Sequence, residues 1–341
     1  MTTRTAILAA CVCCALAASR VASQTGPPLH VTFIDVEGGQ ATLLVTASGE
    51  AMLIDAGYQG FNDRDADRIA AEARRAGVSR IDHMVVTHYH RDHVGGVPAL
   101  AARIPIGTFV DHGPSVEKGE QPDALFGAYQ TVRQKGRHIL VKPGDRLPIA
   151  GLDVWIVSSA GELLRQPLPD AGDANPLCSG FSAQEDDPSE NARSVGMMIG
   201  YGRFRLLNLG DLTWNKEHSL ACPRDLLGPV DVYLTTHHGT PSSGPAVLVH
   251  AVAPRAAVMN NGSKKGGSPQ AWKIVRTSPR LEDFWQLHYA ADAGPDHNVD
   301  EKFIANPDES TAHAIRLTAY HDGRFSITNA RNGHSVEYKV R

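Results

Sequence analysis

The sequence predicts an α/β protein richer in strands than in helices. Three observations carry this. Short β-branched runs recur along the whole chain, and two stretches have helical composition. Two buried-looking runs also end in histidines: Ile81 to Val86 leads into THYHRDHVGG, and Val230 to Leu234 leads into TTHHG. The chain has 341 residues, no sharp change of composition and no low-complexity tract. One domain from about residue 28 to 341 is the simplest reading.

The elements follow in order. His30 to Val36 and Ala41 to Val45 are strand-like around a Gly38-Gly39 turn, and Ala51 to Ile54 is a third strand ending in Asp55-Ala56-Gly57. Arg64 to Ala76 is a helix of Ala, Glu and Arg closed by Gly77. Ile81 to Val86 is a buried strand, and a helix-like segment begins near Val94. Ile106 to Val110 is a strand ending at Asp111-His112-Gly113, and Pro122 to Gln134 is a helix. Leu152 to Ser158 is a strand, and Leu164 to Pro188, rich in Pro, Gly, Asp and Ser, is an excursion loop. Ser194 to Gly200 and Phe204 to Leu209 form a hairpin around Tyr201-Gly202. Val230 to Leu234, Ala256 to Met259, Ala314 to Ala319 and Arg324 to Thr328 are further strands.

Residues 1 to 23 read as an export signal. Arg4 gives the positive start, Ala6 to Ala18 is apolar and small, and Val21-Ala22-Ser23 fits a cleavage site. Leu8-Ala9-Ala10-Cys11 resembles a lipobox, but the apolar run before Cys11 is too short to favour a lipoprotein. The expected location is the periplasm or the exterior. No later segment has the roughly 18 continuous apolar residues of a membrane helix. Cys11, Cys13 and Cys14 lie in the signal, leaving Cys178 and Cys222. In an exported protein that pair suggests a disulfide, with two buried thiols as the alternative.

Without residues 1 to 23 the chain keeps 31 basic and 37 acidic residues, a net of −6 with histidine neutral. That balance disfavours broad electrostatic binding to nucleic acid. The notable basic stretch is Lys264, Lys265, Lys273, Arg276 and Arg280, whose plain reading is a solvated helix face. Lys264 and Lys265, in a Gly-rich loop, are also candidate contacts for a substrate phosphate.

The first histidine motif has the spacing of a metal site. His88 and His90 are two apart, so in an extended exit from a strand both rings point the same way and reach one cation. Asp92 and His93 follow after the chain turns and can serve a second cation nearby. Gly95 and Gly96 let the next backbone segment pack close. Imidazole with carboxylate suits zinc, with manganese or iron as the other candidates. Asp211 follows Gly210 after the hairpin; a Gly-Asp is often only a turn, but its place between two histidine motifs makes it a ligand candidate. One of His237 and His238 is expected to ligate, His237 being favoured because it leaves the strand first. Asp35 and Asp55 close short strands and are expected to hold ligand histidines by hydrogen bonds.

HYHRDH, within Thr87 to His93, resembles the HxHxDH signature of the metallo-β-lactamase fold superfamily. Leu209-Gly210-Asp211 and Thr236-His237-His238-Gly239 resemble its Gly-Asp element and its late histidine motif, in the same order. The resemblance implies a four-layer αββα sandwich, with two mixed β-sheets flanked by helices, and two divalent metal ions bridged by Asp211. FIDVEGGQATLL, LIDAG, NLGDL and THHGT further resemble the extracytoplasmic hydrolase domain of competence-type DNA-uptake proteins. Gln40 stands where that branch has an acid, Glu37 where it has a glycine, and Lys264 to Pro269 carries no histidine where an HPH-like element is usual. β-Lactamases, lactonases and glyoxalases of the superfamily carry a third histidine for the first metal. Here the region reads Glu190-Asn191-Ala192-Arg193-Ser194-Val195. His112 is the candidate substitute, with a contact to substrate or to a ligand as the alternative.

Two divalent ions carry more charge than Asp92 and Asp211 cancel, which favours an anionic ligand and a metal-bound hydroxide as nucleophile. The expected protein is an exported metal-dependent hydrolase of phosphodiesters or other anionic esters, its catalytic aspartates being Asp92 and Asp211. A lactone or β-lactam hydrolase is the second reading, and a non-catalytic binding module the third.

Overall fold

The computed structural model describes residues 26–340; the expected export signal lies outside them. Among the described residues the chain builds two nine-stranded sheets. The first runs Ser335–Tyr338, Phe325–Asn329, Ile315–Ala319, Leu29–Phe33, Thr42–Val45, Ala51–Ile54, Ile81–Val85, Ile106–Asp111 and Arg137–Leu140. The second runs Ile304–Asn306, Asp283–His288, Ala256–Met259, Val232–Leu234, Phe204–Asn208, Gly196–Tyr201, Asp153–Ser159 and Arg146–Leu147, with Glu162–Leu163 beside Asp153–Ser159. Both sheets are mixed. Ala51–Ile54 pairs antiparallel with Thr42–Val45 and parallel with Ile81–Val85, while Phe204–Asn208 pairs antiparallel with Gly196–Tyr201 and parallel with Val232–Leu234.

Strand alternation explains the layering. In Ala51–Ile54, Met52 and Ile54 enter the core between the sheets, while Ala51 and Leu53 enter a second core outside the first sheet. The helix Arg64–Arg75 buries Ala66, Ile69, Ala70 and Ala73 in that outer core. On the other side, Leu207, Tyr233 and Ala257 join Leu220 and Ala221 of the helix Trp214–Ala221 and Leu248 and Val249 of Ala246–Val252. Three apolar interfaces separate four layers, so the fold is the expected αββα sandwich.

Most expected elements are shifted by a residue or two. The first strand stops at Phe33 because Asp35 already caps a turn, its Oδ1 accepting the Glu37 amide at 2.9 Å. The helix near Val94 is short, Val97–Ala101, and follows a close approach: a Cβ on Gly96 would overlap the Ala56 carbonyl oxygen. The excursion loop holds one 3-10 turn, Pro176–Gly180, and is pinned by a Cys178–Cys222 disulfide. Asn175 reinforces the pin, donating to the carbonyls of Ala221 at 3.1 Å and Val247 at 2.9 Å. None of the described helices is long and apolar enough to cross a membrane.

Candidate metal centre

Three strand exits converge. Ile81–Val85 of the first sheet delivers Thr87 to His93, Phe204–Asn208 of the second delivers Asp211, and Val232–Leu234 delivers Thr236–Gly239. Four side-chain atoms meet there: Asp92 Oδ2, His93 Nε2, Asp211 Oδ2 and His238 Nε2. All four residues are buried. His93 Nε2 lies 3.2 Å from His238 Nε2, 3.4 Å from Asp92 Oδ2 and 3.2 Å from Asp211 Oδ2. His238 Nε2 lies 3.3 Å from Asp92 Oδ2 and 3.4 Å from Asp211 Oδ2. Tetrahedral zinc with bonds of about 2.0–2.1 Å needs donors roughly 3.3 Å apart. The donor spacing fits such an ion.

A second donor set adjoins the first. His88 Nε2 lies 3.0 Å from His90 Nδ1 and 3.9 Å from Asp211 Oδ2, so Asp211 Oδ2 is common to both sets.

At His93, His88 and His90 the ring orientations leave the cluster-facing nitrogens bare. His93 Nδ1–H donates to Asp55 Oδ2 at 2.8 Å, which leaves Nε2 toward the cluster. Thr87 donates its hydroxyl to Asp55 at 2.7 Å and lies 3.1 Å from His88 Nδ1, ready to accept from it. His90 Nε2–H donates to Glu117 Oε1 at 2.9 Å, freeing Nδ1. His238 Nδ1 lies 3.1 Å from the Asn260 amide, and Asn260 in turn bonds Gln40. Gln40, where the competence-type pattern has an acid, thus supports a donor histidine at second hand.

Burial opposes charge throughout the cluster. It dominates at His88, whose pKa falls well below the ordinary value. At His93 burial is outweighed by Asp211, Asp92 and Asp55, and the pKa rises well above the ordinary value. At Asp92 and Asp211 burial is likewise outweighed, first by His93, and both carboxyls are held well below the usual range.

Several expected roles change. His238, rather than His237, enters the four-atom cluster. Both residues adopt the left-handed region, with φ of 54° and 57°, and that turn rotates the second ring inward. His237 Nε2 still lies 3.4 Å from Asp211 Oδ2, and its Nδ1 is 3.1 Å from Ser242 Oγ. His112 does not substitute for a third histidine: its Nε2–H is engaged by Glu190 at 2.9 Å and its ring packs on Tyr89. Asp35 holds no donor histidine; it binds His288 at 2.7 Å and Arg68 at 2.8 Å. With Glu37 these residues form another His/acid group, but Arg68 already supplies its cation, reaching Glu37 at 3.0 Å. Lys264 is exposed, 3.8 Å from Glu309, whereas Lys265 reaches the centre and pairs with Asp92. Asp55 holds His93 as expected.

Glu117 and Asn260 were not legible in the sequence, since neither falls in a histidine motif. Glu117→Gln keeps the shape but weakens the bond that sets the His90 ring. Metal affinity at the His88–His90 set should fall by about 10- to 100-fold, read by competition with a chromophoric chelator. Unchanged affinity would show that His90 needs no such support.

Glu217 lies beneath the THHG turn, fully buried, accepting the Gly244 amide at 2.5 Å. Burial raises its pKa from 4.5 to about 8. The native state therefore holds a proton that the unfolded chain releases above its ordinary pKa. Stability is full below that value and declines as pH rises toward the raised one. Glu217→Gln should remove this decline and gain on the order of 4 kcal/mol at pH 8. Thermal melts from pH 5 to 8 would show it; parallel curves for the two proteins would refute it.

The four layers and the histidine–aspartate centre at the strand exits define a metallohydrolase-type fold. Residues 35–168 match the family model described as the metallo-beta-lactamase superfamily. The chain carries a metallo-beta-lactamase superfamily domain. It is similar to a hydroxyacylglutathione hydrolase of Stenotrophomonas maltophilia (strain R551-3), 34% identical over 104 residues, covering 30% of this chain and 37% of that protein. It is also similar to competence protein ComA of Neisseria gonorrhoeae, 26% identical over 232 residues, covering 68% of this chain and 27% of that protein. The chain thus spans well under half the length of these relatives. Among solved structures it is similar to the metallo-beta-lactamase fold protein YhfI of Bacillus subtilis, at 12% identity and a TM-score of 0.45, covering 76% of this chain and 96% of that one.

Proposed function

We propose that the chain is an exported metal-dependent hydrolase of phosphodiesters or other anionic esters, using two divalent ions, zinc first and manganese second. The observation that carries this is the shared oxygen, Asp211 Oδ2, within reach of both His88 and His93. Bound ions there supply water activation near neutral pH and polarisation of the bond under attack. The chain's own groups favour an anion. Asp92 and Asp211 only partly offset two divalent charges, and the Lys265 ammonium stands at Asp92. His237, partly exposed beside Asp211, is placed to contact an incoming substrate oxygen.

Phosphodiesters are preferred over acyl substrates because the segment expected to carry a third histidine is otherwise engaged. Glu190 binds His112 and the amide of Val116, and Ser194 Oγ accepts the Asp211 amide at 3.1 Å. The likeness to hydroxyacylglutathione hydrolases supports thioester hydrolysis as the second reading, with lactone and β-lactam hydrolysis beside it. The partner is a small-molecule or other anionic ester; nucleic acid is less favoured by the acidic chain. Export rests on the character of residues 1 to 23, and the Cys178–Cys222 disulfide supports an oxidising compartment.

The test is metal content by mass spectrometry, together with hydrolysis of bis-p-nitrophenyl phosphate, an S-acyl glutathione, a generic lactone and nitrocefin. Bound metal with phosphodiester turnover is expected. Turnover of the thioester or lactone alone would move the activity to acyl transfer. No metal and no turnover would leave the fold as a binding scaffold.

A further inference from the structure

Beside the metal centre lies a cleft of 430 Å³ whose lining includes Tyr58, Phe61, Arg64, Arg91, Lys264 and Lys265. Of its ten lining residues five are cationic and two acidic, on a chain whose net charge is −4. The cleft is therefore a local exception in need of a reason. Part of its charge is spent: Arg64 pairs with Asp65 at 2.7 Å, and Arg68 with Asp35 and Glu37. Three cations remain. Arg91 lies over the Tyr58 ring, 5.3 Å from its centroid, and pairs with no carboxylate among the described residues. Lys264 has only a loose, exposed contact with Glu309. Lys265 joins the cleft to the centre, pairing with Asp92 while its ammonium lies 5.4 Å from the centroid of the same Tyr58 ring.

The Lys265 pairing is conditional. Asp92 Oδ2 is one of the four clustered donor atoms. When that oxygen is committed to a divalent ion, Lys265 loses most of its counter-charge and is left for an anion in the cleft. The rim carries a further sign of selection. Phe61 is 59% exposed, and Phe61, Asn62 and Asp63 have φ of 51°, 54° and 57°. Three successive non-glycine residues in the left-handed region are sterically disfavoured. Such strain gathers where surroundings demand a particular surface, here an aromatic wall at the mouth of a cationic cleft.

We propose that this cleft is a second anion subsite. It takes a phosphate of the substrate other than the one at the metal centre, with Arg91, Lys264 and Lys265 as the recognising charges and Tyr58 and Phe61 as walls. The proposal rests on the hydrolase reading and narrows it to small substrates carrying two phosphates. The cleft volume is that of a small-molecule site, which favours a compact ligand over a long polyanion.

The experiment is calorimetric binding to zinc-loaded protein, comparing butyl phosphate with 1,4-butanediol and 1,6-hexanediol bisphosphates. At least one bisphosphate should bind about tenfold more tightly, the scale of one charge-assisted hydrogen bond. Arg91→Glu with Lys264→Glu should bring that ratio close to one, and Arg91→Ala should lower it if the double variant folds poorly. Equal affinities in the unmodified protein, or a preference surviving charge reversal, would overturn the subsite. A bisphosphate preference in a protein that hydrolyses no ester would keep the subsite and remove the phosphodiesterase reading. Phosphodiester turnover without the preference would do the opposite.

Discussion

Asp211→Asn should lose both metal ions, and hydrolysis of bis-p-nitrophenyl phosphate should fall by about 10³-fold or more. The size follows from its position. One carboxylate oxygen lies 3.2 Å from His93 Nε2, 3.4 Å from His238 Nε2 and 3.9 Å from His88 Nε2, so both donor sets depend on it. Asparagine preserves shape and one lone-pair oxygen but removes the charge that offsets the cations. The fold should survive, because the Asp211 amide keeps its bond to Ser194. Asp92→Asn is the informative companion. Of the donor histidines Asp92 contacts His93 and His238 and neither His88 nor His90, so its loss should empty the four-donor cluster and spare the His88–His90 set. Metal content and circular dichroism on the two variants separate the outcomes. If Asp211→Asn retained both ions, the shared-oxygen arrangement would be wrong.

Replacing Cys178 and Cys222 with serine should cost about 4 kcal/mol of stability. The bridge closes a loop with a sequence separation of 44, and removing it restores that freedom to the unfolded chain. The closed segment includes the whole route from the excursion loop through the hairpin to Asp211 and the helix Trp214–Ala221. Urea unfolding of the variant, and of the parent with and without reductant, measures the effect. Equal midpoints would show that Asn175, bonded to Ala221 and Val247, holds the loop unaided.

What was legible in the sequence was what a strand exit records locally. Thr87 to His93 leaves one strand, so its spacing alone places His88 and His90 together and Asp92 and His93 apart from them. Asp211 and the late histidines were found by order along the chain. The contacts that orient the rings were hidden, since Glu117 reaches His90 from 27 positions away and Asn260 reaches His238 from 22. His238 was ranked below His237 because two successive left-handed residues do not show in composition. Asp35 looked like a histidine holder and is one, but for His288, because Arg68 from a neighbouring helix shares the same carboxylate. Among strands, Asp283–His288 and Arg137–Leu140 were missed. Their charged and polar residues obscure the apolar alternation that betrays a strand.

The donor atoms come from both sheets. His88, His90, Asp92 and His93 hang from the first, while Asp211 and His238 hang from the second. A loaded centre is therefore a rivet through the rim of the sandwich as well as a reaction site. Prying one sheet from the other would expel the ion, so mass action sets part of the work of opening. At a thousandfold excess of free ion over its dissociation constant, that contribution is about 4 kcal/mol per site. A chelator would thus act on the whole molecule, loosening the seam between its halves as it silences the chemistry.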